Sequence, residues 1–180
     1  LACATVAAQR GHRVVLFDAA DAIGGQFNLA RRIPGKEEFN ETLRYFGQRI
    51  AETGVEVRLS TPVTADDLAG FDVVVLATGV RPRAIDISGH DHPKVVGYTD
   101  VLEGRVVPGA RVAIIGAGGI GFDVGEFLVE GDGPSPSLDP AAWMREWGVD
   151  PSFESPGGLV PATPSPPARE VWLLQRSPGR

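Results

Sequence analysis

The chain has 180 residues, of which 43% are hydrophobic and 22% are charged, a composition typical of a globular protein and unlike that of a disordered one. With 17 basic and 23 acidic residues it has a net charge of −6, which disfavours nucleic acid and anionic lipid as partners. Its one cysteine excludes an internal disulfide and a multi-thiolate metal site, and favours a reducing, cytoplasmic location. No apolar run reaches the roughly 20 residues that cross a bilayer, so no membrane association is expected.

The first predicted elements form the second half of a strand–helix–strand nucleotide-binding unit. Small helix formers occupy residues 1–10 and stop at Gly11, and an apolar strand at 13–17 then leads to Asp18. In such units a strand and a Gly-rich turn precede the helix, so the chain is expected to be a piece of a longer protein. The alternative is a natural protein that begins with a helix. Cys3, among the small residues of this helix, is expected to be a buried structural thiol.

The middle of the chain alternates helix and strand signals. Residues 36–53 predict an amphipathic helix, because apolar side chains recur every three or four residues at Phe39, Leu43, Phe46 and Ile50. A half-buried strand at 55–59 and a short helix at 65–68 follow. The continuous apolar run at 71–79 predicts a strand covered on both faces. Residues 81–110 hold three prolines and no sustained period, which indicates a connector with short strands.

A second nucleotide-binding unit begins at residue 111. An apolar strand runs directly into a G-x-G-x-x-G turn made by Gly116, Gly118 and Gly121, and a helix is predicted at 122–129. The first glycine makes the tight turn, the second lets backbone amides reach a pyrophosphate, and the third lets the helix pack on the strand. The flanking strand and helix are the context that the motif requires, so the turn predicts a dinucleotide site; a purely structural glycine turn is the alternative.

Nine of the fifteen prolines fall within residues 131–168, which indicates an insertion and not a domain core. Trp143 and Trp147 predict one short helix inside it, with indoles that pack on another surface. A strand at 170–176 resumes the second unit and ends on Arg176, where an acidic residue would bind the ribose of NAD. A guanidinium there matches the 2′-phosphate of NADP, so NADP is favoured. The alternative is a solvated arginine at the end of an edge strand.

These elements predict an α/β chain with paired dinucleotide-binding, Rossmann-like domains, both incomplete, which is the layout of certain flavin enzymes. The first domain, at 1–80, is expected to bind FAD and to lack its first strand and Gly-rich loop. A connector occupies 81–110. The second domain, at 111–180, is expected to bind NADPH, to be truncated at its C-terminal end and to contain the insertion at 131–168.

Four runs resemble the C-terminal region of the bacterial NADPH-dependent 2,4-dienoyl-CoA reductases, flavoproteins similar to old yellow enzyme and trimethylamine dehydrogenase: residues 23–39, 91–95, 112–123 and 173–176. The resemblance implies hydride transfer from NADPH to FAD. In the full enzyme it implies transfer onward through a 4Fe–4S cluster to FMN, for reduction of 2,4-dienoyl-CoA in fatty acid β-oxidation. The chain contains neither the FMN barrel nor the cluster segment, so it is expected to bind neither FMN nor the cluster and to be inactive alone.

The resemblance also implies roles for individual residues. The flavin contacts would be the ribose-binding Asp18, the amide of Gln26, the ammonium of Lys36, the backbone of Val63 beside the adenine, and the backbone of Ala77, Thr78 and Gly79. The NADPH contacts would be Gly116, Gly118 and Gly121 at the pyrophosphate, and Arg176 at the 2′-phosphate.

Each flavin residue has a plain structural alternative. Asp18 could cap a turn, Gln26 could be an exposed loop amide and Lys36 a solvated lysine. Val63 could be an ordinary β residue and 77–79 a tight strand end.

No catalytic acid or base is assigned, because hydride transfer between nicotinamide and flavin chiefly needs stacking and orientation. No metal site is assigned either, since His90 and His92 lack a third ligand nearby. Two other functions remain open. One is a different FAD- and NAD(P)-dependent flavoprotein, such as an enoate reductase or an amine dehydrogenase relative, and the other is a non-catalytic nucleotide-binding module.

Overall fold

The structure is a computed structural model that describes residues 1–83, 85–131 and 133–176. The chain divides into two compact units, each containing one two-stranded parallel sheet. Unit 1 comprises Leu1–Arg31 and Glu38–His90, and unit 2 comprises Arg32–Glu37 and Asp91–Arg180.

Unit 1 joins two short parallel strands through helical connections. Its helices are α1 (Ala2–Gln9), α2 (Phe27–Ala30) and α3 (Phe39–Thr53), with a 3-10 turn at Asp66–Leu68. Its strands are β1 (Val15–Phe17) and β2 (Glu56–Arg58), paired from Val15 opposite Glu56 to Phe17 opposite Arg58. The core lies where α1 and α3 meet, at the buried Ala4, Ile50 and Val55, with Leu16 and Val57 of the two strands packed against it.

The apolar stripe predicted at 39–50 explains why α3 packs as it does. Phe39, Leu43 and Phe46 are half-buried and Ile50 is buried. The helix stops at Gly54, whose φ of 69° places it in the left-handed conformation that glycine adopts at low cost. The predicted start at Lys36 is three residues too early, because residues 32–37 belong to unit 2 and are held there by their own contacts.

Unit 2 contains the second parallel pair. Its strands are β3 (Arg111–Ile115) and β4 (Glu170–Leu174), paired from Arg111 opposite Glu170 to Ile115 opposite Leu174. Its helices are α4 (Tyr98–Leu102), α5 (Gly119–Glu130) and α6 (Pro140–Trp147), with 3-10 turns at Pro136–Leu138 and Pro156–Gly158. Helix α5 packs on both strands and buries Val124 and Leu128.

The proline-rich insertion leaves and rejoins unit 2 at one point. The backbone amide of Ala168 donates to the carbonyl of Val129 at 2.7 Å. The two ends of the insertion are therefore adjacent, between the end of α5 and the start of β4. The side chain of Asp139 caps α6 by accepting from the amide of Ala141 at 2.9 Å. The short helix predicted here is therefore confirmed, but Trp147 is exposed and lies with its ring centroid 6.0 Å from that of Trp143, so the expected packing of both indoles on another surface is wrong.

The predicted strand at 71–79 does not form. Among the described residues no strand pairs with it, and its side chains stand in solvent, with Val73 78% and Leu76 80% exposed. An apolar run becomes a strand only when a neighbouring strand completes its hydrogen bonds, and within unit 1 that neighbour is not supplied.

Two further expectations are wrong. The connector at 81–110 contains no short strand in its described part, and instead forms α4, in which Val101 and Leu102 are buried. Cys3 is exposed, because α1 turns Ala4 and Thr5 towards α3 and leaves Cys3 on its outer side.

Candidate functional site

The glycine turn of unit 2 lies between the end of β3 and the start of α5. Gly116 has a φ of 118°, a conformation that residues with a side chain rarely adopt, and its amide donates to the carbonyl of Leu174 at 2.8 Å. Gly118 is the N-cap of α5, and no side chain among the described residues caps this end. The first-turn amides are therefore free to bind an anion, as helix N-termini commonly do.

The glycines at this turn have separate structural roles. A Cβ atom on Gly121 would overlap the carbonyl oxygen of Gly116, so only glycine allows the helix to start this close to the strand. A Cβ on Gly118 would meet no atom within 4 Å. The space beside Gly118 is open, and the first amides of a helix have no partner within the helix, so the start of α5 suits a pyrophosphate.

Arg176 follows β4 at the same edge of the sheet as the turn. Because β3 and β4 are parallel, their carboxyl ends lie side by side, with Ile115 opposite Leu174. The side chain of Arg176 is exposed, two residues beyond that pair. In open parallel sheets, nucleotides bind at this edge.

Lys36 lies in unit 2, whereas the other residues assigned to flavin lie in unit 1. Its ammonium Nζ forms an ion pair with Oδ2 of Asp123, on α5, at 2.6 Å. No local sequence pattern indicates this pair, since the two residues are 87 positions apart. The one available signal was Ile33, an apolar residue in a polar stretch, which is only 2% exposed and anchors the 32–37 segment in unit 2.

In unit 1 Asp18 is bonded to the segment that leads to Val63, beyond the carboxyl ends of the strands. Asp18 follows β1, and one of its carboxylate oxygens accepts from the amide of Ala20 at 2.9 Å. Its backbone carbonyl accepts from the amide of Thr61 at 2.9 Å, which brings the chain leading to Val63 alongside it. The side chain of Val63 is exposed.

Two other assigned sites of unit 1 are also brought together. The side-chain amide Nε2 of Gln26 donates to the carbonyl of Val80 at 3.0 Å, which places the turn at 24–26 beside the exposed segment 77–79. Gly79 has a φ of 71°. The structure therefore bonds Asp18 to Thr61, two residues before Val63, and Gln26 to Val80, the residue after the segment 77–79.

An open cavity of about 290 Å³ in unit 2 lies away from the glycine turn. It is lined by the 32–37 segment, the C-terminal end of α5, Gly131, Gly133 and Ser135, and two carboxylates, Glu37 and Glu130, border it. Burial raises the pKa of Glu130, and the neighbouring carboxylates of Glu37, Glu146 and Glu126 raise it further. Burial also acts to raise the pKa of Glu37, but hydrogen bonds from its own amide and from Ser137 outweigh that and lower it. This acidic border does not suit a phosphate.

Among the described residues no group of three or more His, Cys, Asp or Glu side chains is placed to hold a metal ion. His90 instead contacts the carbonyl of Ile87 through Nδ1, and Nδ1 of His92 accepts from the amide of Lys94. Within the same described residues, none of the helices combines the length and the apolar character needed to cross a membrane.

Residues 1–132 match the family described as pyridine nucleotide-disulphide oxidoreductase. A metal reductase of Desulforamulus reducens is 34% identical over 133 residues, which are 71% of this chain and 20% of the relative. A cinnamate reductase of Clostridium sporogenes is 33% identical over 132 residues, 69% of this chain and 19% of the relative. A solved 2-naphthoyl-CoA reductase in complex with 2-naphthoyl-CoA superposes with a TM-score of 0.68 and 37% identity, over 71% of this chain and 20% of that one. The chain thus spans about a fifth of the length of these relatives.

Proposed function

The chain belongs to the pyridine nucleotide-disulphide oxidoreductase family, whose members bind FAD and NAD(P) on Rossmann-like folds, and on this premise we propose that it is the nucleotide-binding part of an NADPH-dependent flavoprotein reductase. The observation that carries the proposal is the uncapped start of α5 beside the open space at Gly118. Backbone amides there can bind the pyrophosphate of a dinucleotide without any charged side chain.

Unit 2 is proposed to bind NADPH. Gly116, Gly118 and Gly121 would shape the pyrophosphate site, and Arg176, which follows β4 at the same sheet edge, would pair with the 2′-phosphate. A guanidinium can bind a phosphate through two parallel hydrogen bonds, whereas NAD offers only hydroxyls at that position. This accounts for the absence of an acid at the end of β4.

Unit 1 is proposed to contribute to an FAD site. Asp18 presents a carboxylate at the end of β1, suited to ribose hydroxyls, and Val63 offers backbone groups beside it. Gln26 and the segment 77–79 form the second group. When bound, FAD would accept the hydride of NADPH; the residues of this chain bind and orient the two nucleotides. Lys36, whose ammonium is paired with Asp123 in unit 2, stays a proposed basic contact of the flavin.

For the whole protein we propose a reductase that also uses FMN and a 4Fe–4S cluster held by segments outside this chain, with an unsaturated acyl-CoA as substrate. The resemblance to the 2,4-dienoyl-CoA reductases supports this, and so does the likeness to a 2-naphthoyl-CoA reductase. The likeness to a cinnamate reductase keeps open a second candidate, a reductase acting on an unsaturated acid that carries no CoA.

The cofactor assignment is tested by measuring the dissociation constants of NADP⁺ and NAD⁺ by calorimetry on the chain and on Arg176→Ala. We expect NADP⁺ to bind more tightly than NAD⁺, and the substitution to weaken NADP⁺ at least about tenfold while leaving NAD⁺ within twofold, since a charge-assisted phosphate contact contributes about 1.5–3 kcal/mol. Equal loss for both nucleotides would reject the role given to Arg176. Arg44→Ala, which removes an exposed ion pair with Glu41 in unit 1, is the matched control.

A further inference from the structure

The proline-rich insertion presents an exposed aromatic face on α6. Pro140, Trp143 and Trp147 are spaced three and four residues apart, so they lie along one side of the helix, and all three are exposed. The two indole rings lie with their centroids 6.0 Å apart. We call these three residues the tryptophan face. Neighbouring aromatic side chains in solvent are typical of a surface that another molecule covers.

An open cavity of about 410 Å³ adjoins the tryptophan face. It is lined by Trp143 and Met144 of α6 and by Gly35, Ser137 and Pro140. Methionine and tryptophan side chains pack well on apolar groups of varied shape. The size and the lining of this cavity therefore suit an apolar side chain that enters from a partner.

Carboxylates border the same surface. Glu146 follows Trp143 by three residues, so it flanks the tryptophan face on the same helix. Burial raises the pKa of Glu130, and the charges of Glu37, Glu146 and Glu126 raise it further, so these four carboxylates lie close enough to repel one another. We call these four residues the acidic edge.

Two bases lie near the acidic edge but are directed elsewhere. Arg145 of α6 lies two residues from each indole, and therefore on the opposite side of the helix. Arg32 lines the acidic cavity beside Glu130, but its guanidinium donates to the carbonyl of Leu102 at 2.7 Å. A cation from a partner would lower the repulsion within the acidic edge. The surface is therefore complementary to a molecule that is both apolar and basic.

The shared function of the family does not account for this surface. The family match covers residues 1–132, and the insertion that contains α6 begins at its end. Self-association through the acidic edge is disfavoured, because a second copy of the chain also carries a net charge of −6.

We propose that the tryptophan face docks a basic amphipathic helix of a protein partner. An apolar side chain of that helix would occupy the cavity beside Trp143, and its lysine or arginine side chains would pair with the acidic edge. Such a helix lays its apolar side into a groove while its charged side chains face the border. The inference goes beyond nucleotide binding and does not depend on it.

The test uses a labelled peptide in which leucine and lysine are arranged as an amphipathic helix. Its dissociation constant for the full chain is measured by fluorescence anisotropy at low salt. One matched peptide replaces the lysines by glutamate, and another replaces the leucines by alanine. We expect the leucine–lysine peptide to bind at least about tenfold more tightly than either, because the surface requires both charge and apolar area.

One pair of variants tests the tryptophan face. Trp147→Ala should weaken binding of the leucine–lysine peptide at least about fivefold, because tryptophan side chains contribute strongly where they are covered on binding. Trp172→Ala removes an indole of similar exposure from β4, 59% against 66%, and is the matched control. Circular dichroism checks the fold of each variant. Should Trp147→Ala not fold, Trp147→Gln decides, because glutamine is a good helix former.

A second pair of variants tests the acidic edge. Glu130→Gln combined with Glu146→Gln should weaken binding about threefold at low salt, and the difference should disappear at about 0.5 M salt. Glu41→Gln combined with Glu52→Gln removes the same net charge from α3 in unit 1 and is the control. A general attraction between the peptide and an acidic protein would affect both pairs equally.

Several results would overturn the proposal. They are the absence of binding by the leucine–lysine peptide, equal binding by the leucine–glutamate peptide, and equal losses in the variants and their controls. Binding to phosphatidylcholine vesicles that Trp147→Ala abolishes, without binding of the peptide, would assign the tryptophan face to a membrane instead.

Discussion

Two apolar runs of this chain have nearly the same pattern and different outcomes. The run at 111–115 forms β3, pairs with β4 along its whole length and lies under α5. The run at 71–79 is longer and has five consecutive apolar residues at 73–77, but no described strand pairs with it and Val73, Val75 and Leu76 are exposed. The two runs differ in what surrounds them, since each contains an uninterrupted apolar stretch that favours a buried strand.

An apolar sequence is not sufficient for a strand, because a partner strand and a covering layer are also required. A run of β-branched residues favours extended backbone, but a strand is stable only when its amides and carbonyls find partners and a face is covered. Unit 2 supplies both within the described residues. Unit 1 supplies a ring contact from Phe17 and a backbone hydrogen bond to Leu68, both at Phe71 where the run starts, and a side-chain hydrogen bond from Gln26 to Val80 just beyond its end.

The largest expected effect comes from Gly121→Val. The new side chain would overlap the carbonyl of Gly116, so α5 could no longer start close to β3 and cover it. We expect a loss of about 3 kcal/mol in unfolding free energy, measured by urea denaturation, together with loss of NADP⁺ binding. Gly119→Ala, whose Cβ would meet nothing within 4 Å, is the control for stability and should change it by less than about 0.5 kcal/mol.

A matched truncation in each run sharpens the comparison. Ile114 lies in β3 beneath α5, and Ile114→Ala should cost about 2 kcal/mol because it removes packed methylenes. Leu76 is 80% exposed, and Leu76→Ala should change the unfolding free energy by less than about 0.5 kcal/mol. Equal costs in thermal denaturation would mean that the run at 71–79 is covered in solution, which would contradict its exposure in the structure.

These two runs also show which parts of the fold can be predicted from the sequence. Local signals alone predict five of the elements. These signals are helix-forming composition for α1, apolar spacing and a glycine stop for α3, an apolar run for β3, the glycine turn for α5 and two tryptophans four residues apart for α6. The absence of a strand at 71–79 depends on a partner strand, which no local pattern reports. The placement of Lys36 against Asp123 depends on residues 32–37 joining unit 2, a long-range event that only the buried Ile33 hints at. Sequence reasoning is strong for local structure and weak where two distant segments must meet.

Gln26→Ala probes the hydrogen bond that holds Val80, the residue that follows the unpaired run. Without its side-chain amide the carbonyl of Val80 loses its donor, but both groups are exposed and water can replace the bond. We expect a cost of about 0.5 kcal/mol and faster amide hydrogen exchange over residues 77–81. Unchanged exchange there, with Gln48→Ala on α3 as the control, would show that other contacts hold the segment.

The smallest expected effect concerns Glu130, at the end of the helix that covers β3. Because burial and neighbouring carboxylates raise its pKa in the folded chain, folding favours the protonated form. Stability is therefore lost as the pH rises through the range between the ordinary and the raised pKa. Glu130→Gln should raise the unfolding free energy by about 0.5 kcal/mol at pH 7, and the gain should vanish below the ordinary pKa of about 4.3. If the gain in unfolding free energy of Glu130→Gln persists at acid pH, the gain comes from packing and not from the charge of Glu130.

The most direct test of the central claim is a nuclear magnetic resonance titration of the isotope-labelled chain with NADP⁺. If the turn between β3 and α5 binds the pyrophosphate, the largest amide shifts will fall on residues 116–121, with smaller ones near Arg176, and they will saturate together. Amide shifts spread over the insertion or the acidic cavity, with residues 116–121 unchanged, would contradict the account.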